Sequence, residues 1–221
     1  PWHSSFPVEV LNIFPDEIKE ERLKLIPLNY NSGSSGSYVE ALFHLDPKWS
    51  YLLKMDEDII LEKPCLKELV LPTLVSEEIS MVGGKVLFYK NRGTIQAIGS
   101  RLKPWYAISK GIATNQKDIG QFNTQLSMEG LAGCMLLISR KLQEDIGWFD
   151  TDYFLYYDDH DLMYRSLKKG YKHIFSPEAV GFHDTETGSK KKYSNRLWLY
   201  YSIRGSYLFL FKNFKFYSFD F

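Results

Sequence analysis

The sequence has little of three features: cysteine, net charge and long apolar runs. Its two cysteines, Cys65 and Cys134, exclude a disulfide scaffold and are typical of a reducing cytosol. No stretch reaches the roughly 18 to 20 consecutive apolar residues that a transmembrane helix needs. The 27 Lys and Arg residues equal the 27 Asp and Glu residues in number, so bulk attraction to nucleic acid is not expected. We therefore expect a cytoplasmic protein with no nucleic-acid partner.

The sequence does contain ample apolar material for a core. Hydrophobic residues make up 44% of the chain, aromatic residues 16% and charged residues 24%, which excludes a disordered protein. A length of 221 residues suits one domain of ordinary size. Because the net charge is zero, any electrostatic function must come from local clusters of charged residues.

Apolar runs and helical patterns alternate along the chain. The runs predict strands at residues 8–14, 23–28, 49–55, 81–89, 131–140 and 171–175. One helix is predicted after a glycine turn at Gly33 and Gly36, and another after Pro64. A third begins near Asp158 and ends before Gly170. This alternation predicts an α/β sandwich with a mainly parallel sheet and an active site at the carboxyl ends of its strands.

Two further segments have distinct compositions. Residues 90–121 are rich in loop-forming residues and predict a substrate-facing excursion from the sheet. Residues 194–214 predict an amphipathic helix that is interrupted at Arg204 and Gly205. Its aromatic face either closes the core or makes a peripheral contact with a membrane, and the residues of that face are Trp198, Tyr200, Tyr201 and Phe209.

Asp56 and Asp58 lie two residues apart at the end of an apolar strand. In an extended backbone their side chains point to the same side. Two carboxylates at that spacing can hold Mg²⁺ or Mn²⁺ together with the phosphates of a substrate. Such a short motif is also typical of a solvated acidic turn, so it does not identify a metal site by itself.

A second acidic cluster, formed by Asp158, Asp159 and Asp161, follows the aromatic run YFLYY. Partial burial and mutual repulsion are expected to raise the pKa of at least one of these carboxyl groups, as in a general base. The alternative is a helix N-cap, since Asp is favoured there. Both can hold if Asp158 or Asp161 serves the cap while Asp159 faces a substrate.

His183 follows a strand and precedes a loop rich in Gly, Thr and Ser. On its own it would be interpreted as a structural or surface histidine. Beside two carboxylates, however, an imidazole suits Mn²⁺ as a third ligand. The lysines at 190–192 are either a solvated charge run or part of a loop that covers bound phosphates.

Together these motifs resemble a known family. The segment KMDEDIIL resembles the D-x-D segment of nucleotide-sugar-dependent glycosyltransferases with the GT-A fold. The block GWFDTDYFLYYDDHDLMYR, followed by PEAVGFH, resembles the inverting family 2 enzymes of the rhamnosyl- and galactofuranosyltransferase type. The resemblance implies a Rossmann-like α/β/α sandwich. It also implies transfer of a sugar from a UDP or dTDP donor to a saccharide or lipid-linked acceptor in surface polysaccharide synthesis.

The resemblance further implies roles for individual residues. Asp56 and Asp58 bind Mn²⁺ or Mg²⁺ and the donor diphosphate, with Glu57 between them at the same donor site. His183 completes the metal site, and Asp159 matches the catalytic base. The positions on the acceptor side are Gly133, Trp148 and Asp158.

The family pattern also gives expected boundaries. Residues 1–194 are expected to form the catalytic domain, and residues 195–221 a C-terminal aromatic helix. Members of the family begin with a strand and a helix that hold the nucleobase and ribose. The segment VEVLNIFP is more similar to the second strand of that fold, so we expect the first βα unit to be missing.

Two other interpretations stay open at this point. A glycosidase would use Asp58 and Asp159 as its carboxylate pair and would need neither metal nor nucleotide. A catalytically incompetent carbohydrate-binding fragment would bind sugar without turnover, through Trp105, Trp148 and Tyr157.

Overall fold

The structure, a computed structural model, describes residues 24–184 and 195–214. Short 3₁₀ turns occur at Leu71–Leu74, Pro104–Tyr106 and Thr151–Tyr153. The helices and strands, in chain order, are α1 (Gly33–Leu42), β1 (Tyr51–Met55), β2 (Ile59–Leu61), α2 (Cys65–Val70), β3 (Ile79–Phe88), β4 (Ile95–Ala97), β5 (Ser100–Lys103), β6 (Ile108–Gly111), β7 (Leu126–Met128), β8 (Met135–Ser139), α3 (Arg140–Ile146), α4 (Asp158–Lys169), β9 (Lys172–His183) and α5 (Asn195–Asn213).

The central sheet is mixed in direction. Its strands follow the order β1-β8-β3-β9-β2, with β4 paired to the end of β3 and β7 paired to β9. Strands β3 and β9 are parallel, whereas the other described pairs of this sheet are antiparallel. The α/β architecture is as predicted, but a mainly parallel sheet is not found in the described residues. An apolar run indicates that a strand is buried, but it does not indicate whether the neighbouring strand is parallel or antiparallel.

Buried apolar side chains cover both faces of the sheet. Because side chains alternate along a strand, Leu136 and Leu137 of β8 enter different clusters. The Leu136 cluster includes Leu142 of α3 and Leu162 of α4, and the Leu137 cluster includes Leu69 of α2. The sheet is therefore a central layer between helices, with the start of α4 held firmly against it.

Three predicted elements differ from the structure. The run predicted as a strand at 23–28 is irregular over its described part. Pro27 lacks the backbone N–H that would hydrogen-bond to a neighbouring strand. Gly33 and Gly36 belong to α1 itself, which Gly33 begins at a φ of +72°. The strand predicted at 171–175 continues to His183 as β9. The strand predicted at 8–14 lies outside the described residues.

Residues 90–121 contain regular structure rather than loop alone. After β4, strands β5 and β6 pair as an antiparallel hairpin that forms a small sheet of its own. Its tip is the 3₁₀ turn Pro104–Tyr106, followed by Ala107 in the left-handed region at a φ of 48°. No strand was predicted here because the hairpin is short and largely exposed, so its strands lack an apolar run.

Helix α5 is continuous through Arg204 and Gly205, where an interruption was predicted. The Arg204 guanidinium donates to the carbonyl of Asp152 at 2.7 Å, and Gly205 packs on the ring of Tyr157. These tertiary contacts outweigh the roughly 1 kcal/mol that glycine costs inside a helix. Among the described residues, no helix is both long and apolar enough to cross a bilayer.

Candidate active site

Two carboxylates and an imidazole converge where β1 ends. Asp56 and Asp58 lie in the turn between β1 and β2, and His183 ends β9 opposite Ile59 of β2. The candidate ligand atoms of the three side chains all lie within 4.8 Å of one another. The turn and the pairing of β2 with β9 create this convergence, rather than the extended backbone assumed from the sequence.

The ring of His183 is held from both sides. Its Nε2 lies 3.0 Å from Oδ1 of Asp58, and its Nδ1 lies 2.9 Å from Oε1 of Gln96. When Nδ1–H donates to the amide oxygen, the Nε2 lone pair is available to a cation. Gln96 thus favours the tautomer that a metal ligand requires.

The three residues fit a divalent cation. Carboxylate oxygens suit Mg²⁺ and Mn²⁺, and an imidazole nitrogen suits Mn²⁺. The Asp58 and His183 side chains are 12% and 13% exposed, whereas that of Asp56 is 36% exposed. The site therefore opens to solvent on the side of Asp56, where substrate phosphates could approach.

Lys54 lies buried beside Asp56. Its Nζ is 3.0 Å from Oδ1 of Asp56, donates to the carbonyl of Gly133, and lies 4.8 Å from the centroid of the Tyr38 ring. Burial alone would lower the pKa of Lys54, but the charge of Asp56 and the bond with Tyr38 hold it above its ordinary value. Lys54 therefore stays charged and fixes the orientation of the Asp56 carboxylate.

The loop that leads into α4 has a strained backbone. Phe154, Tyr156 and Tyr157 have φ values of 59°, 63° and 67°, which bulky residues rarely adopt. Each such residue costs on the order of 1–3 kcal/mol. The Tyr157 hydroxyl donates to the carbonyl of Ala107 at 2.7 Å and helps to hold the loop in place.

Asp158, the first residue of α4, is 5% exposed and accepts a hydrogen bond from Oγ of Ser34 at 3.1 Å. Burial and the neighbouring charge of Asp159 raise the pKa of Asp158 to about 6. The raised pKa that the sequence predicted for one carboxyl group of this cluster therefore falls on Asp158.

Asp159 shows the opposite shift. Its Oδ1 accepts the backbone N–H of His160 at 2.8 Å and lies 2.8 Å from Nδ1 of the same ring. Burial would raise the pKa of Asp159, but His160 outweighs it and holds that pKa well below the ordinary value. The pKa of His160 is raised in return. Asp159 is therefore an anion at neutral pH and can accept a proton.

Gly133 joins the two acidic clusters. A Cβ atom at this position would overlap Oδ2 of Asp159, so the approach requires glycine. The carbonyl of Gly133 accepts the ammonium of Lys54, which is bonded to Asp56. The candidate base and the candidate metal ligands thus belong to one site.

The other predicted site residues have different surroundings. Glu57 is exposed at the turn. Trp148 is buried, and its indole N–H donates to the carbonyl of Tyr38 at 3.2 Å, so it supports the site from within the core. This burial does not favour the predicted contact of Trp148 with an acceptor. The lysines at 190–192 lie outside the described residues.

The predicted helix cap is not formed by an aspartate. Tyr157 occupies the N-cap position of α4 without a side-chain capping bond. Asp158 bonds to Ser34 instead, and the buried Asp161 pairs with Nε of Arg165 at 2.7 Å. The Asp158 and Asp161 carboxylates are therefore engaged by other side chains, which compete with capping for the same oxygen atoms.

Sequence reasoning missed Lys54, Gln96 and Ser34. Lys54 could have been found, because alternation along β1 places it on the same side as Asp56. Gln96 and Ser34 carried no such signal, since their partners are 87 and 124 residues away in the chain.

Comparisons with known proteins identify a family and a fold for the chain. The sequence model of the family described as "Glycosyltransferase like family 2" matches residues 8–202. No curated protein matched in a sequence search. Two solved structures share the fold at low sequence identity, which confirms the predicted GT-A class.

The first of these structures is GalNAc-T7 with UDP, GalNAc and Mn²⁺. It has a TM-score of 0.65 and 14% identity, over 82% of this chain and 36% of that chain. The second is the mannosyltransferase PcManGT from Pyrobaculum calidifontis in complex with GDP-Man and Mn²⁺. It has a TM-score of 0.59 and 15% identity, over 96% of this chain and 53% of that chain. The chain thus spans about a third to a half of the length of these proteins.

Proposed function

The chain belongs to the glycosyltransferase like family 2, and on this premise we propose that it transfers a sugar from a nucleotide donor by an inverting, metal-dependent reaction. The proposal is carried by one observation: the candidate ligand atoms of Asp56, Asp58 and His183 lie within 4.8 Å of one another. Lys54 connects this cluster to Gly133 and thereby to the candidate base Asp159. The two structural relatives, which hold UDP or GDP-Man with Mn²⁺, support a nucleotide and Mn²⁺ as ligands.

The donor side of the site is formed by the acidic turn. Asp56, Asp58 and His183 would hold Mn²⁺ or Mg²⁺, and Glu57 lies at the same turn on the solvent side. A bound cation neutralises the charge that develops on the departing diphosphate. Lys54 keeps Asp56 oriented and adds a second positive charge beside it. We propose UDP or dTDP as the nucleotide and galactofuranose or rhamnose as the sugar.

The acceptor is activated by Asp159. Its Oδ2 faces Gly133, while Oδ1 is occupied by His160. Oδ2 takes the proton of the acceptor hydroxyl as that oxygen forms its bond to the anomeric carbon. The bond from this carbon to the diphosphate oxygen breaks, and the electron pair leaves with the nucleoside diphosphate. Attack opposite to the leaving group inverts the configuration at the anomeric carbon. General-base catalysis typically accelerates such a reaction by 10²–10⁴-fold.

The acceptor is a saccharide or a lipid-linked saccharide. Gly133 lies against Oδ2 of Asp159 and would contact the acceptor, whereas the buried Asp158 would hold the segment that carries Asp159 through its bond with Ser34. We assign the reaction to surface polysaccharide synthesis at the inner face of the cell membrane. Residues 1–194 would carry the catalysis and residues 195–221 would form a C-terminal helical region.

Product analysis tests the proposed function. The chain is incubated with UDP-galactofuranose or dTDP-rhamnose, Mn²⁺ and saccharide acceptors, and the anomeric configuration of the product is read by NMR. We expect a new glycosidic bond of inverted configuration, which is lost in Asp159→Asn and kept in the exposed control Asp46→Asn. Retained configuration, or equal transfer by Asp159→Asn, would contradict the proposal.

A further inference from the structure

The tip of the β5–β6 hairpin exposes two aromatic side chains. Trp105 is 74% exposed and Tyr106 is 73% exposed, on a tight 3₁₀ turn. The ring of Trp105 packs against that of Phe214, just after α5, with centroids 4.3 Å apart and 39° between the ring planes. The hairpin tip and the end of α5 therefore lie side by side.

Helix α5 is not amphipathic as predicted, because Leu197, Trp198 and Leu199 near its start are exposed on other sides, but its outer side carries an apolar stripe. Tyr200, Ile203, Tyr207 and Phe211 are 48% to 77% exposed and follow one another at spacings of three and four residues, which places them on one face. Of the face predicted from the sequence, Trp198 and Tyr200 are exposed, whereas Phe209 is buried and Tyr201 stacks on Phe154 within the protein.

The charges of these two elements have one sign. The hairpin carries Arg101, Lys103 and Lys110, all exposed, and neither it nor α5 contains an Asp or Glu. Helix α5 carries three cations, Arg196, Arg204 and Lys212.

In the described part of the chain, three carboxylates that contact these two elements are already engaged. Asp150 and Asp152 pair with Lys212, and Glu129 accepts the backbone N–H of Leu102. Within residues 24–184 and 195–214, Lys103 and Lys110 have no carboxylate partner.

We infer that the hairpin tip and the outer stripe of α5 form a docking surface for an anionic lipid bilayer. Aromatic side chains favour the membrane–water interface, and exposed apolar side chains of a surface helix can be buried at the same boundary. Lysine and arginine residues add attraction to anionic lipid. A second copy of the chain on this surface would bring the cations face to face, whereas anionic headgroups neutralise them. The surface comprises Trp105, Tyr106, Tyr200, Ile203, Tyr207 and Phe211.

The docking surface is connected to the segment that carries the candidate base. The carbonyl of Ala107, which follows the tip, accepts the hydroxyl of Tyr157, and Tyr157 is two residues before Asp159. A lipid-linked acceptor in the docked bilayer would thus be presented at the acceptor side of the site. This last step rests on the proposed function, whereas the docking itself does not.

Vesicle sedimentation of the full chain tests the docking surface. We expect binding to phosphatidylglycerol vesicles and much weaker binding to phosphatidylcholine vesicles. Trp105→Ala with Tyr106→Ser, and separately Tyr207→Ser with Phe211→Ser, should each lower the affinity by about tenfold or more. Lys103→Gln with Lys110→Gln should lower it by about thirtyfold. The matched control Leu74→Ser with Val75→Ser removes two exposed apolar side chains that precede β3 and should bind as the unchanged chain does.

Two measurements separate this inference from the proposed function. All these variants should bind UDP with Mn²⁺ as tightly as the unchanged chain does, which would show that they are folded. If the unchanged chain itself did not bind UDP with Mn²⁺, that result would count only against the proposed function. Absence of vesicle binding by the unchanged chain would overturn the docking surface. The docking surface would also be overturned if both aromatic variants bound vesicles as tightly as the unchanged chain does. The same holds if light scattering showed that these variants lose only self-association and keep vesicle binding.

Discussion

Two adjacent carboxyl groups with opposite pKa shifts lie at the start of α4. Asp158 is buried against Ser34 and its pKa is raised to about 6, while Asp159 is paired with His160 and its pKa is lowered. Proton transfer depends first on geometry, and Asp159 Oδ2 faces Gly133 and is not engaged by His160. The raised pKa therefore marks the supporting residue and not the base.

The raised pKa of Asp158 predicts a pH dependence of stability. Because protonation favours the fold, this contribution is complete below the unfolded pKa near 3.9 and is lost as pH rises through about 6. In metal-free protein, Asp158→Asn should not lose this stability as pH rises. We expect its free energy of unfolding at pH 7 to be about 2–3 kcal/mol higher than that of the unchanged chain. Chemical denaturation at pH 5 and pH 7 measures the free energy of unfolding of both chains, with Asp46→Asn as the control. Parallel pH profiles for the two chains would refute the assignment.

Gly133→Ala should displace the base. The new methyl group would overlap Oδ2 of Asp159, and a shift of about 1 Å in a reacting group costs about 100-fold in rate. We expect kcat to fall by about that factor while Mn²⁺ affinity is kept. The matched control is Gly93→Ala, because a methyl group at Gly93 would meet nothing within 4 Å. An unchanged kcat in Gly133→Ala would show that Asp159 is not the base.

Gln96→Leu should weaken the metal site without touching a ligand. It removes the acceptor of the His183 Nδ1 proton, and loss of such a partner typically costs 10–100-fold in metal affinity. Mn²⁺ titration followed by electron paramagnetic resonance measures this, with the exposed Gln121→Leu as control. Equal affinities in the two variants would exclude a positioning role for Gln96.

At the scale of elements, α4 and α5 are joined through one buried carboxylate. Asp161 accepts the hydroxyl of Tyr153 at 3.0 Å, the guanidinium of Arg165 at 2.7 Å and the amide of Asn213 at 2.8 Å. Asn213 ends α5, so the last turn of that helix is fixed to the helix that bears Asp159. Packing of α5 and geometry of the base are therefore expected to depend on each other.

Gly205→Ala tests the packing of α5 against the loop that precedes α4. A methyl group at Gly205 would lie 2.8 Å from Cδ2 and 3.1 Å from Cβ of Tyr157. Overpacking of this kind costs about 1–3 kcal/mol, against a gain of about 1 kcal/mol in helix propensity. We expect a net loss of stability and faster amide exchange in α5. Ser206→Ala, at the next residue of the helix, should be neutral or stabilising, and a stabilised Gly205→Ala would contradict the packing.

At the scale of the whole molecule, the sequence predicted what depends on local pattern. The apolar runs that became β1, β3 and β8 and the acidic turn after β1 were all identified in the sequence. Features set by distant contacts were not. The direction of the strands, the continuity of α5 at Gly205 and the bond of Gln96 to His183 depend on packing partners that a periodic pattern does not encode.

Metal-dependent binding of a nucleoside diphosphate at Asp56 is tested most directly by titration calorimetry of UDP and dTDP, with and without Mn²⁺. We expect the affinity to fall by at least about tenfold when the metal is left out, and likewise in Asp56→Ala, because a metal ligand is then lost. The exposed control Glu62→Ala should bind as the unchanged chain does. Binding that needs no metal and is equal in Asp56→Ala would contradict the metal site.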